Sequence, residues 1–549
     1  APTPSRRYRR LAQQGASEMW RTTVNGLGSA RAVAPLTVRE PTRHGRGSVG
    51  AERPAATLVV VCASLMVITI DVTIVNVALP SLAGALRVDN SGLQWVVAGY
   101  ELVFAGLLLS AGALGDRFGR RRCLAIGLVI FGAASAASAM ADASGQLLAS
   151  RAVMGVGGAL IMPATLSIIT NVFTEPTERA KAIAVWAGVA ALGLGLGPLV
   201  GGWLLQHFYW GSIFLVNVPV VVATLIAVRL LVPESRDTSA SRLDPVGAAL
   251  SIAGLGTVLY AIIEGPHEGW WSATIVTSFA VGAVAMAAFI AWELHVREPM
   301  LDMALFRNPR FSASCVAIMS MFFALFSLMF ILTQLLQSVL GYSPLEAGIR
   351  VVPLPAMLVV FAQVSVRVAT RVGTKTVVTF GLLTVAIGLG IGATFNDHSG
   401  YGLLLVTITL TGIGMGCTMA PATEAIMGSV PARKAGVGSA VNDTTRLSAG
   451  ALGIAVVGAV LSSTYDAGLA SGLQSSSLPA RTRDAAGSSI GSAVEIAHGL
   501  GGAQGDDLLA VARHAFIAGA DQGLMIAAAV AALGAIIAWR FLPAQADPS

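Results

Sequence analysis

Charged residues are few inside the long apolar runs of this chain, and Asp71, Glu101, Arg151, Glu424, Asp443 and Arg446 stand out there. An ionisable side chain in hydrocarbon is expensive, so each is a functional candidate by default. Asp71 sits ~21 Å into its run from one end, and Glu101 ~12 Å into the following run from the opposite end. Two carboxyl groups therefore fall near one depth, where they suit proton uptake and release. The plainer alternative is an acid that stays protonated or is permanently paired with Arg151. That arginine must itself find a carboxylate, water or carbonyls, and a fixed pair that only assembles the helices is its own plain reading. Glu424 and Asp443 each lie ~9 Å from the end of their runs. Asp443 and Arg446 are three residues apart on one helix face, where a local ion pair is the simpler reading. Gln334 and Gln337 either meet a substrate or bridge helices.

The elements that hold these residues are legible from composition. The 549 residues are 55% hydrophobic and only 12% charged, a balance that belongs to an all-α polytopic membrane protein. With ~20 apolar residues needed per crossing, about fourteen spans follow. They lie near 56–80, 92–113, 122–140, 145–171, 181–205, 212–232, 245–264, 272–293, 311–338, 345–366, 375–395, 401–429, 437–463 and 522–542. Loops on one side hold roughly 18 Arg and Lys, and the short loops on the other hold roughly two, Arg87 and Arg350. The basic side is cytoplasmic, and an even number of spans returns both termini to it. Arg- and Pro-rich residues 1–55 lack the apolar stretch of a signal peptide and are expected as a disordered cytoplasmic tail. The Ser/Gly/Ala-rich stretch 464–521 is expected as a long outer loop with a helix near Asp506–Ile517. Arginine far outnumbers lysine, and Ala and Gly abound, which points to a GC-rich bacterial source and hence the bacterial cytoplasmic membrane.

Several function classes lose ground. Cys62, Cys123, Cys315 and Cys417 stand alone, without metal spacing or a disulfide framework. The histidines fall in tails, loops or span ends, against a haem or metal redox enzyme. No phosphate-binding Gly-x4-Gly-Lys-Ser/Thr occurs, so ATP hydrolysis within this chain is not expected, and no cofactor is expected. The net charge of +6 belongs to cytoplasmic loops and not to a nucleic-acid site.

Two local patterns carry more. Between the second and third spans, Gly112, Leu114, Asp116, Arg117, Gly119, Arg120 and Arg121 form a short polar link that forces a helical hairpin. In span 5, Gly193, Gly197, Pro198, Gly201 and Gly202 suit a close crossing of membrane helices with a kink at the proline. A weak internal repeat sets Arg371 on Arg117 and Gly373 on Gly119, with Thr370 in place of the aspartate. Duplication of a six-span unit would leave spans 7 and 8 as an inserted pair.

The link resembles the loop between helices 2 and 3 of the major facilitator superfamily. Asp71, Asn76 and Pro80 resemble the first-span signature of its 14-span drug:proton antiporters, and Arg151 the fourth-span motif. The glycines of span 5 resemble the antiporter motif, which is associated with exporters. Asn442, Asp443, Arg446 and the Gly341–Gly348 turn extend the likeness, which covers about 56–463 and the last span.

The resemblance implies a major facilitator fold of two six-helix bundles plus two additional central helices. The division expected is a tail (1–55), an N-terminal bundle (56–232), two inserted helices with their linkers (233–310) and a C-terminal bundle (311–549). It implies a monomer in the lipid bilayer that exports an amphipathic or cationic drug in exchange for protons. Asp71 would carry the proton under the control of Arg151, with Glu101 as second carboxyl. Asp116 and its arginines would latch the two halves at the inner gate. Asn76, Gln334, Gln337, Glu424, Asn442, Asp443 and Arg446 are the candidate cavity residues. A facilitator of another cargo (lipid, amino acid or metabolite) or an uptake symporter is the alternative.

Overall fold

A computed structural model describes residues 54–543 except 87, 237–243, 298, 397, 431–434, 475 and 477. The expected tail therefore lies outside the described residues up to position 53, as does Arg87.

Among the described residues, fourteen helices are long and apolar enough to cross a membrane, one for each expected span. Thirteen of them are α1 (Pro54–Leu86), α2 (Asn90–Phe118), α3 (Arg120–Ala139), α4 (Ser144–Val172), α5 (Thr177–His207), α6 (Ser212–Leu231), α7 (Pro245–Glu268), α8 (Ala273–His295), α9 (Pro309–Val339), α10 (Pro344–Val372), α11 (Thr374–Gly392), α12 (Tyr401–Gly428) and α13 (Gly438–Gly472). Two short helices follow, α14 (Ala480–Gly487) and α15 (Ile490–Leu500), and the last crossing helix is α16 (Gly502–Phe541).

The packing repeats. In the first half α1 lies on α4, α5 and α6, α2 on α4, and α3 on α4 and α6. In the second half α9 lies on α12, α13 and α16, α10 on α12, and α11 on α12 and α16. The turns after α2 and α10 repeat as well. Gly119 has φ 113° and Gly373 φ 87°, the two positions that the sequence repeat aligns. Lipid supplies no hydrophobic drive between membrane helices, so close backbone approach has to hold them. Gly127 and Gly157 provide it between α3 and α4, and Gly381 and Gly414 between α11 and α12.

The two halves meet where α2 packs on α13 and α5 on α10. Helix α7 lies over α2 and α13, and α8 packs on α7. Trp95 Nε1 donates to Glu264 (2.9 Å), which fastens α7 to α2, and Gly254 and Gly282 bring α7 and α8 together.

One expectation needs correction. The stretch 464–521 is largely helical: α13 runs on to Gly472, α14 and α15 follow, and α16 starts at Gly502. Alanine-rich composition favours helix, and the segment has a surface to pack on. Helix α15 sits against α1 and α16, and the Asn90 amide donates to the Ser488 carbonyl (2.9 Å).

Candidate functional site

Span 5 positions α1. Its glycines at 193, 197 and 201 are four apart, hence on one face, and they receive Thr69, Thr73 and Ile74 of α1. The contacted stretch brackets Asp71. Other residues of the same helix face the second bundle: a Cβ at Gly202 would lie 2.5 Å from the Pro344 carbonyl oxygen, and Gly195 lies against Pro355. From α10, Gly348 returns the contact onto the Pro198 carbonyl. The expected close crossing is thus a three-helix contact among α1, α5 and α10.

Asp71 and Arg151 meet. Arg151 Nη1 lies 2.5 Å from Asp71 Oδ2, and both residues are fully buried. Arg151 Nε donates to the Val96 carbonyl (3.1 Å), and its guanidinium stacks 4.2 Å from the Tyr100 ring centroid. The other oxygen, Asp71 Oδ1, accepts from Asn217 Nδ2 (3.2 Å). Asn217 also donates to Ser135 Oγ, which donates to the Phe214 carbonyl (2.7 Å). A charge pair taken out of water holds best when its remaining lone pairs and protons find partners. Here α2 supplies the Val96 carbonyl and α6 the Asn217 amide, while Arg151 Nη2 has no partner among the described residues. Sequence reasoning missed Asn217 and Ser135; a lone asparagine opening the sixth apolar run was the available signal.

Glu101 is different. It is fully buried, neither carboxyl oxygen has a hydrogen-bond partner among the described residues, and it faces Gly450 of α13 in the other bundle.

A cavity between the halves is lined by Thr73, Asn76, Leu194, Pro198, Phe326, Leu354 and other apolar residues of α1, α5, α9 and α10. Asn76 is the one residue from the expected cavity set among its lining residues. The Asn76 amide donates to Val72 of its own helix, and its buried oxygen has no partner among the described residues. Gln337 bridges the halves, donating to the Val77 carbonyl (2.8 Å), whereas Gln334 donates within α9. Asp443 pairs with Arg446 (3.4 Å), which also donates to Thr423 Oγ1 and stacks on Phe322. Asn442 is buried beside them, and Glu424 is exposed.

The inner-gate loop is paired within its own half, where the sequence reading expected a latch between halves. Arg120 bonds Asp116 (2.8 Å) and donates to the Ser167 carbonyl, while Arg121 and Arg122 lie 3.7 and 3.6 Å from Glu234 just after α6. Arg117 lies over the Phe118 ring. Glu234 was missed because its closeness depends on how α6 returns to the loop. Gly112 contacts Pro163 of α4, and Gly119 combines its positive φ with a Cβ direction only 2.6 Å from Glu234 Oε1. Gly119→Ala is expected to cost about 1–2 kcal/mol from the left-handed backbone alone, read as loss of thermal stability of the purified protein.

Two helical bundles with a cavity between them, the first holding a buried acid–guanidinium pair, define a secondary transporter. The chain belongs to the Major Facilitator Superfamily, whose sequence signature matches residues 61–454. It is 36% identical over 499 residues to the multidrug efflux pump LfrA of Mycolicibacterium smegmatis, covering 91% of this chain and 95% of that protein. Against the methyl viologen resistance protein SmvA of Salmonella typhimurium it is 34% identical over 88% of this chain and 97% of the relative. The tetracenomycin C resistance and export protein of Streptomyces glaucescens matches at 31% identity over 90% and 93%. Among solved structures, a bacterial homologue of the lysosomal transporter Spinster, inward-facing, superposes with TM-score 0.60 at 18% identity, covering 92% of this chain and all of that one. The xylose transporter XylE of E. coli, partially occluded and inward-open, gives 0.56 at 14% identity over 89% and 98%. These two establish the fold.

Proposed function

We propose that the protein exports amphipathic or cationic drugs across the bacterial cytoplasmic membrane in exchange for protons, by alternating access. The observation that carries this reading is a match to resistance exporters that spans about nine tenths of the chain. Apolar walls with a few polar atoms suit amphipathic cargo in the cavity. The repeating helix contacts support division into bundles at 56–232 and 311–549, with 233–310 inserted between them. Arginine-rich loops on one side support a cytoplasmic position for both termini. With that orientation, the contacts between bundles at Gly202, Gly348, Gln337 and Gln94 lie toward the outer side, as in an inward-facing state. The proton gradient is the energy source, and the working unit is a monomer.

Asp71 is the first candidate for the proton carrier, with Arg151 and Asn217 as its switchable partners and Glu101 as the second acid. In acidified inverted vesicles, adding a drug should release protons, and Asp71→Asn should abolish that release. Survival of release in Asp71→Asn would exclude Asp71 as the coupling acid. A folded wild type that releases no protons with any compound would exclude drug antiport altogether.

A further inference from the structure

Glu101 has a companion. Gln94, seven residues earlier on α2, is also fully buried, and neither its side-chain oxygen nor its nitrogen has a partner among the described residues. Both side chains press on glycines of α13: a Cβ at Gly450 would lie 2.5 Å from Glu101 Oε2, and one at Gly458 would strike the Gln94 amide. Seven and eight residues are each about two helical turns, so the two contacts form one antiparallel seam. Since α2 and α13 belong to different bundles, the seam exists only while the bundles are closed there.

Covering an unpartnered carboxylic acid is costly, and covering an ionised carboxylate is far costlier unless it is paired. The charges around Glu101 do not pair it. Arg151 of α4 is already matched by Asp71 of α1, and Tyr100 beside Glu101 lies under that guanidinium. On α13, Arg446 one turn below Gly450 pairs with Asp443. Glu264 of α7 is engaged by Trp95, and α9 brings the phenyl ring of Phe326 against Gly450.

We propose that Glu101 is the acid that permits the outer seam to close: the bundles join over it when it is protonated and part when it is ionised and hydrated. This deepens the antiport reading and rests on it, naming the group through which an external proton acts. In the outward-open state a hydronium ion transfers its proton to a carboxylate oxygen of Glu101 and leaves as water. The neutral acid is then covered by Gly450. Phe326 stands against the same glycine and also lines the cavity, so it separates Glu101 from the cavity. Displacement of that ring lets the proton pass to cavity water and resets the seam.

The test reads seam opening without any drug. Ser462 is buried on α13 one turn outward of Gly458, and Ser462→Cys places a small thiol there. In right-side-out vesicles its reaction with a membrane-impermeant maleimide is measured above that of the chain without the added cysteine. An exposed Gln474→Cys reference corrects for the thiol's own ionisation. Between about pH 8 and 6 outside, the corrected rate should fall by up to about tenfold per unit, the limit for a single proton. Glu101→Gln should label slowly at both values, changing by less than about twofold, and Glu101→Asp should restore the response. A Glu101→Gln protein that keeps the parent's pH response overturns the proposal, as does Glu101→Asp locked like the glutamine. Drug-driven proton release from inverted vesicles, ethidium among the compounds tried, is scored separately: its absence in the wild type with every compound sinks the antiport reading, whereas the seam's pH response bears on Glu101.

Discussion

Arg151→Met should abolish drug-driven proton release and cost about 3–5 kcal/mol of folding free energy, the usual consequence of removing one partner of a buried pair. Asp71 would be left with only the Asn217 amide against a charge in the bundle interior. Cost and cause can be separated by the double variant Asp71→Asn/Arg151→Met. Removing both charges should return most of the lost stability, measured by denaturant titration in detergent, while transport stays absent. If the double variant is as unstable as Arg151→Met, the loss comes from the packing of Arg151 on Tyr100 and the Val96 carbonyl. If transport persists in either variant, the pair is a structural brace and the coupling acid lies elsewhere.

The second large effect is steric. A Cβ at Gly197 would strike Thr73 Oγ1 and lie 2.9 Å from the Ile70 carbonyl oxygen and 3.0 Å from the Ile74 nitrogen. Most of that is backbone, which has no rotamer to yield, so Gly197→Leu should push α5 off α1. Over-packing of this kind costs about 1–3 kcal/mol or more, and here it also displaces the helix that carries Asp71. Transport should be lost even where protein still reaches the membrane. Gly188 lies on the same helix with nothing within 4 Å of its Cβ position. Gly188→Ala should therefore be neutral within about 0.5 kcal/mol and keep full transport. Equal damage from both substitutions would mean that α5 is sensitive along its whole length and that Gly197 has no special contact.

Membrane crossings were legible in the sequence because hydrocarbon imposes a length and a composition on each helix separately, with no reference to its neighbours. All fourteen follow from that, and the duplication shows in two short turns, after α2 and after α10, whose aligned Gly119 and Gly373 share a positive φ. The helices Ala480–Gly487 and Ile490–Leu500 were hidden for the opposite reason: a polar, Ala-rich stretch has a modest helical preference of its own, and α15 gains its packing surface from α1 and α16. At the site, sequence marked Asp71 and Arg151 because an ionisable group in an apolar run stands out at its own position. Their partners did not stand out. Asn217 is an ordinary polar residue 146 positions from Asp71, and Glu234, which meets Arg121 and Arg122 of the loop, is 113 positions from Arg121. The seam is the clearest case. Gln94 and Glu101 on one helix and Gly450 and Gly458 on another become a single feature only when two bundles bring α2 and α13 together, and the meeting of two helix faces is decided by the packing of all the helices at once.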